Sequence, residues 1–308
     1  MWRWALLTCL AALVAAACVE VRLVPGGTSS NGGGGAGTTS SSTAGGSGGT
    51  GGTTPSCGCD ELDALLIIDN TDSLLEDNIV PLLSVLVNLS DYVVELASRT
   101  CSFHFGVTSA VAKTNQPDAA CNVLGALSYS DADGTECVPG ERFMTDPDTI
   151  VENATCFVQT GSANDGNERL MQAMVTAVSD PTLIGPGGCN EGFLRPEAPL
   201  LLLFISDRDD DNSDIDGNLQ PDDPQAWYQA AVDAKGGDAS KVVAMGLLPP
   251  GANGEPCEGG LAPRFESFFN AFPTGQQQTA DICNVGATEV QTKMENLADL
   301  VCPLPVTE

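Results

Sequence analysis

Ala64-Leu65-Leu66-Ile67-Ile68-Asp69-Asn70-Thr71-Asp72-Ser73 is the stretch on which the reading of this chain turns. Its first five residues are all apolar. Successive side chains of a strand point to opposite faces, so a short run that is apolar at every position predicts a strand buried on both sides, as in a parallel sheet. The next five residues switch at once to acids, an amide and hydroxyls. The same change recurs downstream, where Leu200 to Ser206 gives way to Asp207-Arg208-Asp209-Asp210-Asp211.

Working outward, a long helical stretch is expected from about Leu74 to Ser98, opening on the capping-box pattern Ser73-x-x-Glu76. Pro81 within it requires a late start or a kink. Phe103 to Ser109 reads as a strand, and residues 111–148 as a loop-rich region with a β-hairpin. Residues 165–179 read as an amphipathic helix with Leu170, Met171, Met174, Val175 and Val178 on one side. A helix over Asp223–Ala234, a strand over Lys241–Leu248 and a helix over Arg264–Phe272 follow. The last helix is expected to open on a second capping box, Thr288-x-x-Gln291, with Val290, Met294, Leu297 and Val301 on one face. This alternation predicts an α/β domain with a doubly wound, mostly parallel sheet flanked by helices. Such folds bind ligands at the carboxyl ends of their strands, which directs attention to the residues after Ile68 and after Ser206.

Composition narrows the function. The chain has 308 residues, with 12 Lys+Arg against 41 Asp+Glu and a formal charge of −29. So acidic a surface repels nucleic acid and anionic lipid and attracts divalent cations. Of the 12 cysteines, Cys9 and Cys18 fall in the leader. The even set left, Cys57, Cys59, Cys101, Cys121, Cys137, Cys156, Cys189, Cys257, Cys283 and Cys302, is scattered singly and reads as a disulfide framework in an oxidising compartment. With one histidine and no CxxC pair, the ligand spacing of a structural zinc site is missing.

Residues 1–17 read as an export signal, with Arg3 ahead of the apolar run Ala5–Ala17. That run falls short of the roughly 20 residues needed to span a bilayer. It ends Ala15-Ala16-Ala17-Cys18, which resembles a bacterial lipobox and implies lipidation of Cys18, with residues 18–25 as the lipidated N-terminus. Val19 rather than Asp follows, which in the enteric sorting rule directs a lipoprotein to the outer membrane. The expected location is therefore the bacterial cell envelope, outer membrane or cell surface, with the lipid anchor as the one membrane contact. Residues 26–56 are almost entirely Gly, Ser and Thr and read as a disordered tether with a mean span of roughly 30 Å. The folded domain is expected over 57–308.

Asp69-x-Thr71-x-Ser73, the segment Thr160-Gly161-Ser162 ahead of a helix, and Asp207 after a second buried strand together resemble the von Willebrand factor type A (VWA) domain, in its secreted bacterial lipoprotein branch. The resemblance covers roughly residues 60–302. It implies a metal-ion-dependent adhesion site (MIDAS) in which Asp69, Thr71, Ser73 and Asp207 contribute oxygen. Registering Glu168 and Ala173 on the helix after the second loop puts Ser162 at the loop hydroxyl, with Thr160 as the fallback. The implied cofactor is Mg²⁺ or Ca²⁺, which take oxygen ligands, and the implied partner is a protein or surface polymer offering a carboxylate to the open coordination position. The fold also implies that Cys57 or Cys59 joins Cys302, because the first strand and last helix bring the domain ends together.

A second cation loop is suggested by Asn212-x-Asp214-x-Asp216-Gly217 with Gln220 and Asp223, which follows EF-hand-like calcium spacing. A solvated acidic loop would read the same way. No catalytic residues are assigned. His104 lies mid-strand between Phe103 and Phe105 with no Ser or Cys motif to serve, so the chain is not expected to be an enzyme. The expected function is a metal-dependent adhesion or interaction module. The alternatives are a structural envelope protein with a degenerate metal site and, last, a metallohydrolase.

Overall fold

The computed structural model describes residues 57–71, 74, 92–145, 153, 156–158, 160, 168–210, 223–251, 254, 260–284 and 286–303. The leader, Cys18, the Gly/Ser/Thr stretch, and the Ser73-x-x-Glu76 pattern with Pro81 lie outside them.

Among the described residues five strands make one sheet: β1 (Cys59–Ile68), β2 (Thr100–Ser109), β3 (Leu200–Ile205), β4 (Val242–Leu248) and β5 (Gln277–Asp281), in the order β2-β1-β3-β4-β5. Every pairing is parallel. Among the described residues the longer helices are α1 (Leu170–Ser179), α2 (Pro224–Asp233), α3 (Pro263–Phe269) and α4 (Ala287–Val301), residues 92–99 are also helical, and Pro181–Ile184 forms one further short turn of helix. The fold is thus a doubly wound α/β domain, and the order of its strands reverses between β1 and β3.

Continuous apolarity is explained by burial on both faces. Leu62, Ala64, Leu66 and Ile68 of β1, with Leu201, Leu203, Ile205, Val243, Met245 and Leu247, pack on Tyr92, Val93 and Leu96 and on Val290, Met294 and Leu297 of α4. The alternate residues Leu65, Ile67, Leu200, Leu202, Phe204 and Val242 pack on α1, α2 and α3. Phe204 sits edge-on to Phe265, Phe268 and Phe269, with ring centroids 5.5–6.0 Å apart. Gly246 leaves the space that Phe269 fills, since a Cβ there would come within 2.8 Å of the ring.

Two expectations need correction. The last helix does not use the Thr288 capping box: Gly286 is its N-cap, and it makes no side-chain capping hydrogen bond. Gln291 reaches instead along the helix, its Nε2 donating to Glu295 Oε1 at 2.9 Å. Strand β5 was not anticipated, because Gln-Gln-Thr-Ala-Asp has neither alternation nor an apolar run, and a sheet edge with partly exposed side chains demands neither.

Disulfides fasten the periphery to this frame. Cys59 is the partner of Cys302, and Cys57 joins Cys101, so both ends of the domain are bonded beside β1 and β2. Gly58 between them donates its N–H to Arg99 O at 2.7 Å, and a Cβ on it would lie 2.3 Å from Pro303 O. Cys121–Cys189 and Cys137–Cys156 tie the loop-rich middle, and Cys283 is also disulfide-bonded. The expected hairpin there is reduced to one antiparallel bridge, Ser130 with Glu136.

A charged cluster lies at the opposite end of the sheet from the residues that follow Ile68 and Ile205. Asp63 of β1, with no exposed surface, accepts from Lys235 Nζ at 2.7 Å and from Arg195 N and Nε at 2.8 Å. Lys235 Nζ also donates to Arg195 O at 2.9 Å, and Arg195 Nη2 to Leu62 O at 2.7 Å. Desolvation pulls Lys235 below its ordinary pKa even with Asp63 beside it.

Candidate metal centre

In a sheet of this order, a crevice opens outside the carboxyl ends of the two strands at which the winding reverses. Asp69 directly follows β1, and Ser206-Asp207 directly follows β3, so both fall at that point. The backbone locks them together, with Asp69 N donating to Ile205 O at 2.9 Å.

Asp69 is 1% exposed, and its oxygens are oriented by hydroxyls. Oδ1 accepts from Thr71 N at 2.8 Å and from Thr71 Oγ1 at 2.7 Å, closing a local turn. Oδ2 accepts from Ser206 Oγ at 2.8 Å. Asn70 fixes the loop from its other side: its Nδ2 donates to Val111 O at 3.2 Å, and its Oδ1 accepts from Val111 N at 2.9 Å. Asp207, the residue after Ser206, is also buried.

Glu168 is the addition that sequence reasoning missed as a site residue, having used it to register a helix. It lies two residues before α1, is 4% exposed, and faces Asp69 and Asp207 electrostatically. Burial, and then the neighbouring Asp69, push its carboxyl up to about 7, with Asp207 adding to the effect and Arg208 opposing it. A buried acid just ahead of an amphipathic helix, in the crossover that enters the switch-point strand, was the available signal. Ser206 was likewise read only as the end of a strand.

The acidic run after Asp207 has another use. Asp209 caps α3, accepting from Arg264 N at 3.0 Å and Phe265 N at 3.2 Å. Burial raises its pKa while those bonds hold it down. Asp210, 2% exposed, accepts from Met171 N at 2.8 Å in the first turn of α1. Two consecutive acids therefore tie two helices on one side of the sheet to the loop that carries Asp207.

Of the other expected ligands, Ser73 and Ser162 lie outside the described residues. Thr160 is buried, with its N–H donating to Val158 O at 2.9 Å, and no hydrogen bond links its hydroxyl to Asp69 or Asp207. In the suggested calcium loop, Asn212, Asp214, Asp216 and Gln220 lie outside the described residues. Asp223 is the N-cap of α2, its Oδ1 accepting from Gln225 N at 3.0 Å. His104 Nδ1 lies 2.8 Å from Phe193 O, and its ring packs on Phe143 with centroids 4.7 Å apart.

The donors gathered at the crevice are all oxygen, carboxylates with two hydroxyls, which suits a hard divalent cation. Burial first, and the charge of Asp69 second, raise the Glu168 carboxyl. Among the described residues, no three acidic, His or Cys side chains already stand together as a closed chelate. By donor type alone, Asp69 and Asp207 with the Thr71 and Ser206 hydroxyls suit a hard divalent cation.

The protein is thus a doubly wound α/β domain with a buried acidic crevice at its switch point. No protein-family model and no curated protein matches the chain. Among solved structures it is similar to proximal thread matrix protein 1 from the mussel byssus, at 14% identity and a TM-score of 0.45, over 79% of this chain and 49% of that one. A structure of the same mussel protein with a zinc-occupied MIDAS motif matches at 16% identity and a TM-score of 0.43, over 79% and 49%. A von Willebrand factor type A structure from Catenulispora acidiphila matches at 10% identity and a TM-score of 0.43, over 79% and 43%. The chain spans about half the length of these structures or less. Likeness at this level assigns no function.

Proposed function

We propose that the protein is a lipid-anchored cell-envelope protein whose VWA-type domain holds a divalent cation and, through it, engages a protein or surface polymer. The observation that carries this reading is the pair of buried acids, Asp69 and Asp207, at the strand ends where the sheet reverses, with Thr71 and Ser206 hydroxyls orienting Asp69. Two carboxylates with hydroxyl support match the chemistry by which Mg²⁺ or Ca²⁺ is bound with a position left for an outside oxygen. The lipobox-like Cys18 and the Gly-rich stretch would place that site away from the membrane surface while keeping it tethered.

A structural reading has one observation in its favour, the disulfide framework that staples both domain ends and the middle loops. Catalysis has less: the one histidine of the chain is committed to Phe193 O and the Phe143 ring. Thermal unfolding with EDTA, Mg²⁺ or Ca²⁺ separates binding from the structural reading. The expected result is a cation-dependent rise in Tm that Asp69→Asn abolishes. An unchanged Tm in every condition would leave the structural reading standing.

A further inference from the structure

The two edges of the sheet differ. On β2, Phe105 exchanges both backbone bonds with Met144, at 2.9 Å each, in an antiparallel bridge. Among the described residues no strand lies outside β5. Gln276 O and Ile282 N–H are bonded to β4, and in a parallel ladder the bonding residues alternate. The backbone groups of Gln277, Thr279 and Asp281 therefore point outward. Lys293 Nζ donates to Thr279 O at 2.5 Å and has Glu289 at 3.0 Å as its own counter-charge. The N–H and C=O of Gln277 and the N–H of Thr279 bond no described residue outside the strand. Such a row of groups is a template for another chain. Gln277, Thr279 and Asp281 pair with Ala244, Gly246 and Leu248, and Ala244 and Leu248 belong to the core on the α3 side of the sheet. The polar side chains of β5 stand on that same side. Between them and α3 lies a cavity of about 310 Å³, lined by buried Leu248, Phe265 and Phe269 and by the partly exposed carboxylates of Glu266 and Asp281.

We propose that the β5 edge and this groove form a second docking surface, on which an extended segment of a basic partner protein pairs as an added strand. One of its lysine or arginine side chains enters the groove toward Glu266 and Asp281. Backbone pairing along an edge gives such binding its affinity, and a pocket for alternate side chains gives it specificity. The methylene stem of the basic side chain packs on the rings of Phe265 and Phe269 while its head reaches the acids. Asp281 already accepts from Cys283 N at 2.9 Å and Asn284 Nδ2 at 2.8 Å, and a carboxylate has lone pairs for more than two donors. Charge chooses the occupant. A chain of net charge −29 repels a second copy of itself and attracts a basic segment. Strand β4 separates this edge from β3, so the docking needs no cation at Asp69 and Asp207.

The test is fluorescence anisotropy of a labelled, end-capped peptide of alternating lysine and valine, titrated with the purified full-length chain, disulfides intact, in EDTA at physiological ionic strength. Saturable binding is expected, with hydrogen exchange of the Gln277 and Thr279 amides slowed in the complex. Thr279→Pro removes an outward N–H without touching a bond to β4, and Glu266→Lys reverses a charge in the groove. Each is expected to weaken binding about tenfold or more, the scale of one lost hydrogen bond or ion contact. Glu141→Lys makes the same change of net charge on an exposed residue near the β2 edge, and should leave the affinity within about twofold, since distant exposed charges are screened. Binding that Glu141→Lys weakens as much as Glu266→Lys, or that leaves the exchange of Gln277 and Thr279 unchanged, is attraction to an acidic surface at large and overturns the proposal. Absence of saturable binding overturns it as well. Self-association of the natural chain that Thr279→Pro abolishes would assign the edge to a second copy and overturn the basic partner. If Thr279→Pro does not fold, as judged by its Tm, Glu266→Lys and the exchange measurement decide.

Discussion

Replacing Asp63 by Asn removes the negative centre of the buried cluster while keeping its shape. Lys235, 2% exposed with no exposed side-chain surface, then has Arg195 O as a neutral acceptor and a guanidinium as its nearest charge. Breaking a buried pair from one side costs about 3–5 kcal/mol, because the remaining charge stays buried. A second route sets a ceiling on the Lys235 share. The variant can instead fold with Lys235 neutral, at a cost of about 1.36 kcal/mol for every pH unit below the ordinary lysine pKa of about 10.4. That is about 4.6 kcal/mol at pH 7 and about 1.9 kcal/mol at pH 9. In this window the unfolded variant binds the proton and the folded variant does not, so the variant's stability rises with pH relative to the natural protein. Urea unfolding of oxidised protein at pH 7 and pH 9 measures both values. Adding Lys235→Met to Asp63→Asn should recover much of the loss at pH 7. A cost under about 1 kcal/mol at pH 7, or an equal cost at both pH values with no recovery in the double variant, would refute the reasoning.

Other predictions concern the same framework. Burial lowers the His104 pKa, chiefly by desolvation, while Asp63 at 3.7 Å and Glu61 oppose Arg195 in the field around it. Below the ordinary value of about 6.5 the unfolded chain gains a proton that the folded one resists, so stability falls as pH drops. His104→Asn should flatten that part of the acid limb in urea midpoints measured between pH 7.5 and pH 5. Asp210→Asn and Asp209→Asn each weaken a cap bonded across the fold, at an expected 0.5–2 kcal/mol, about the usual range for helix caps. Equal stability of both variants and the natural chain in urea would show that these bonds are incidental. Gly58→Ala must displace Pro303, whose carbonyl would stand 2.3 Å from the new Cβ, so a lowered Tm and a slower yield of the Cys59–Cys302 bond on refolding are expected.

The strands that place the site were legible because burial on both faces leaves a continuous apolar signature, as in Ala64–Ile68 and Leu200–Ile205. The edge strand β5 was not, since an edge is held by backbone pairing that any polar side chain permits. Helix α4 kept its apolar face but not its expected cap, because Thr288 falls inside the helix rather than at its start. Asp69 and Asp207 could be named from the residues that follow buried strands. The uses of Asp209 and Asp210 could not, because each bonds a helix that lies 39 to 56 residues away in the chain.

By itself the sequence determined the parallel α/β class, the oxidised cysteine framework and the acids at two strand ends. Local periodicity and composition are properties of short segments, and they survive without knowledge of what packs against them. The tertiary structure alone decided that Cys59 rather than Cys57 meets Cys302, and that Asp63 lies between Lys235 and Arg195. It also decided that Glu168, two residues before α1, is buried and feels the charges of Asp69 and Asp207. Those are encounters between distant segments, fixed by strand order and by how closely the helices sit on the sheet, and no residue spacing along the chain encodes them.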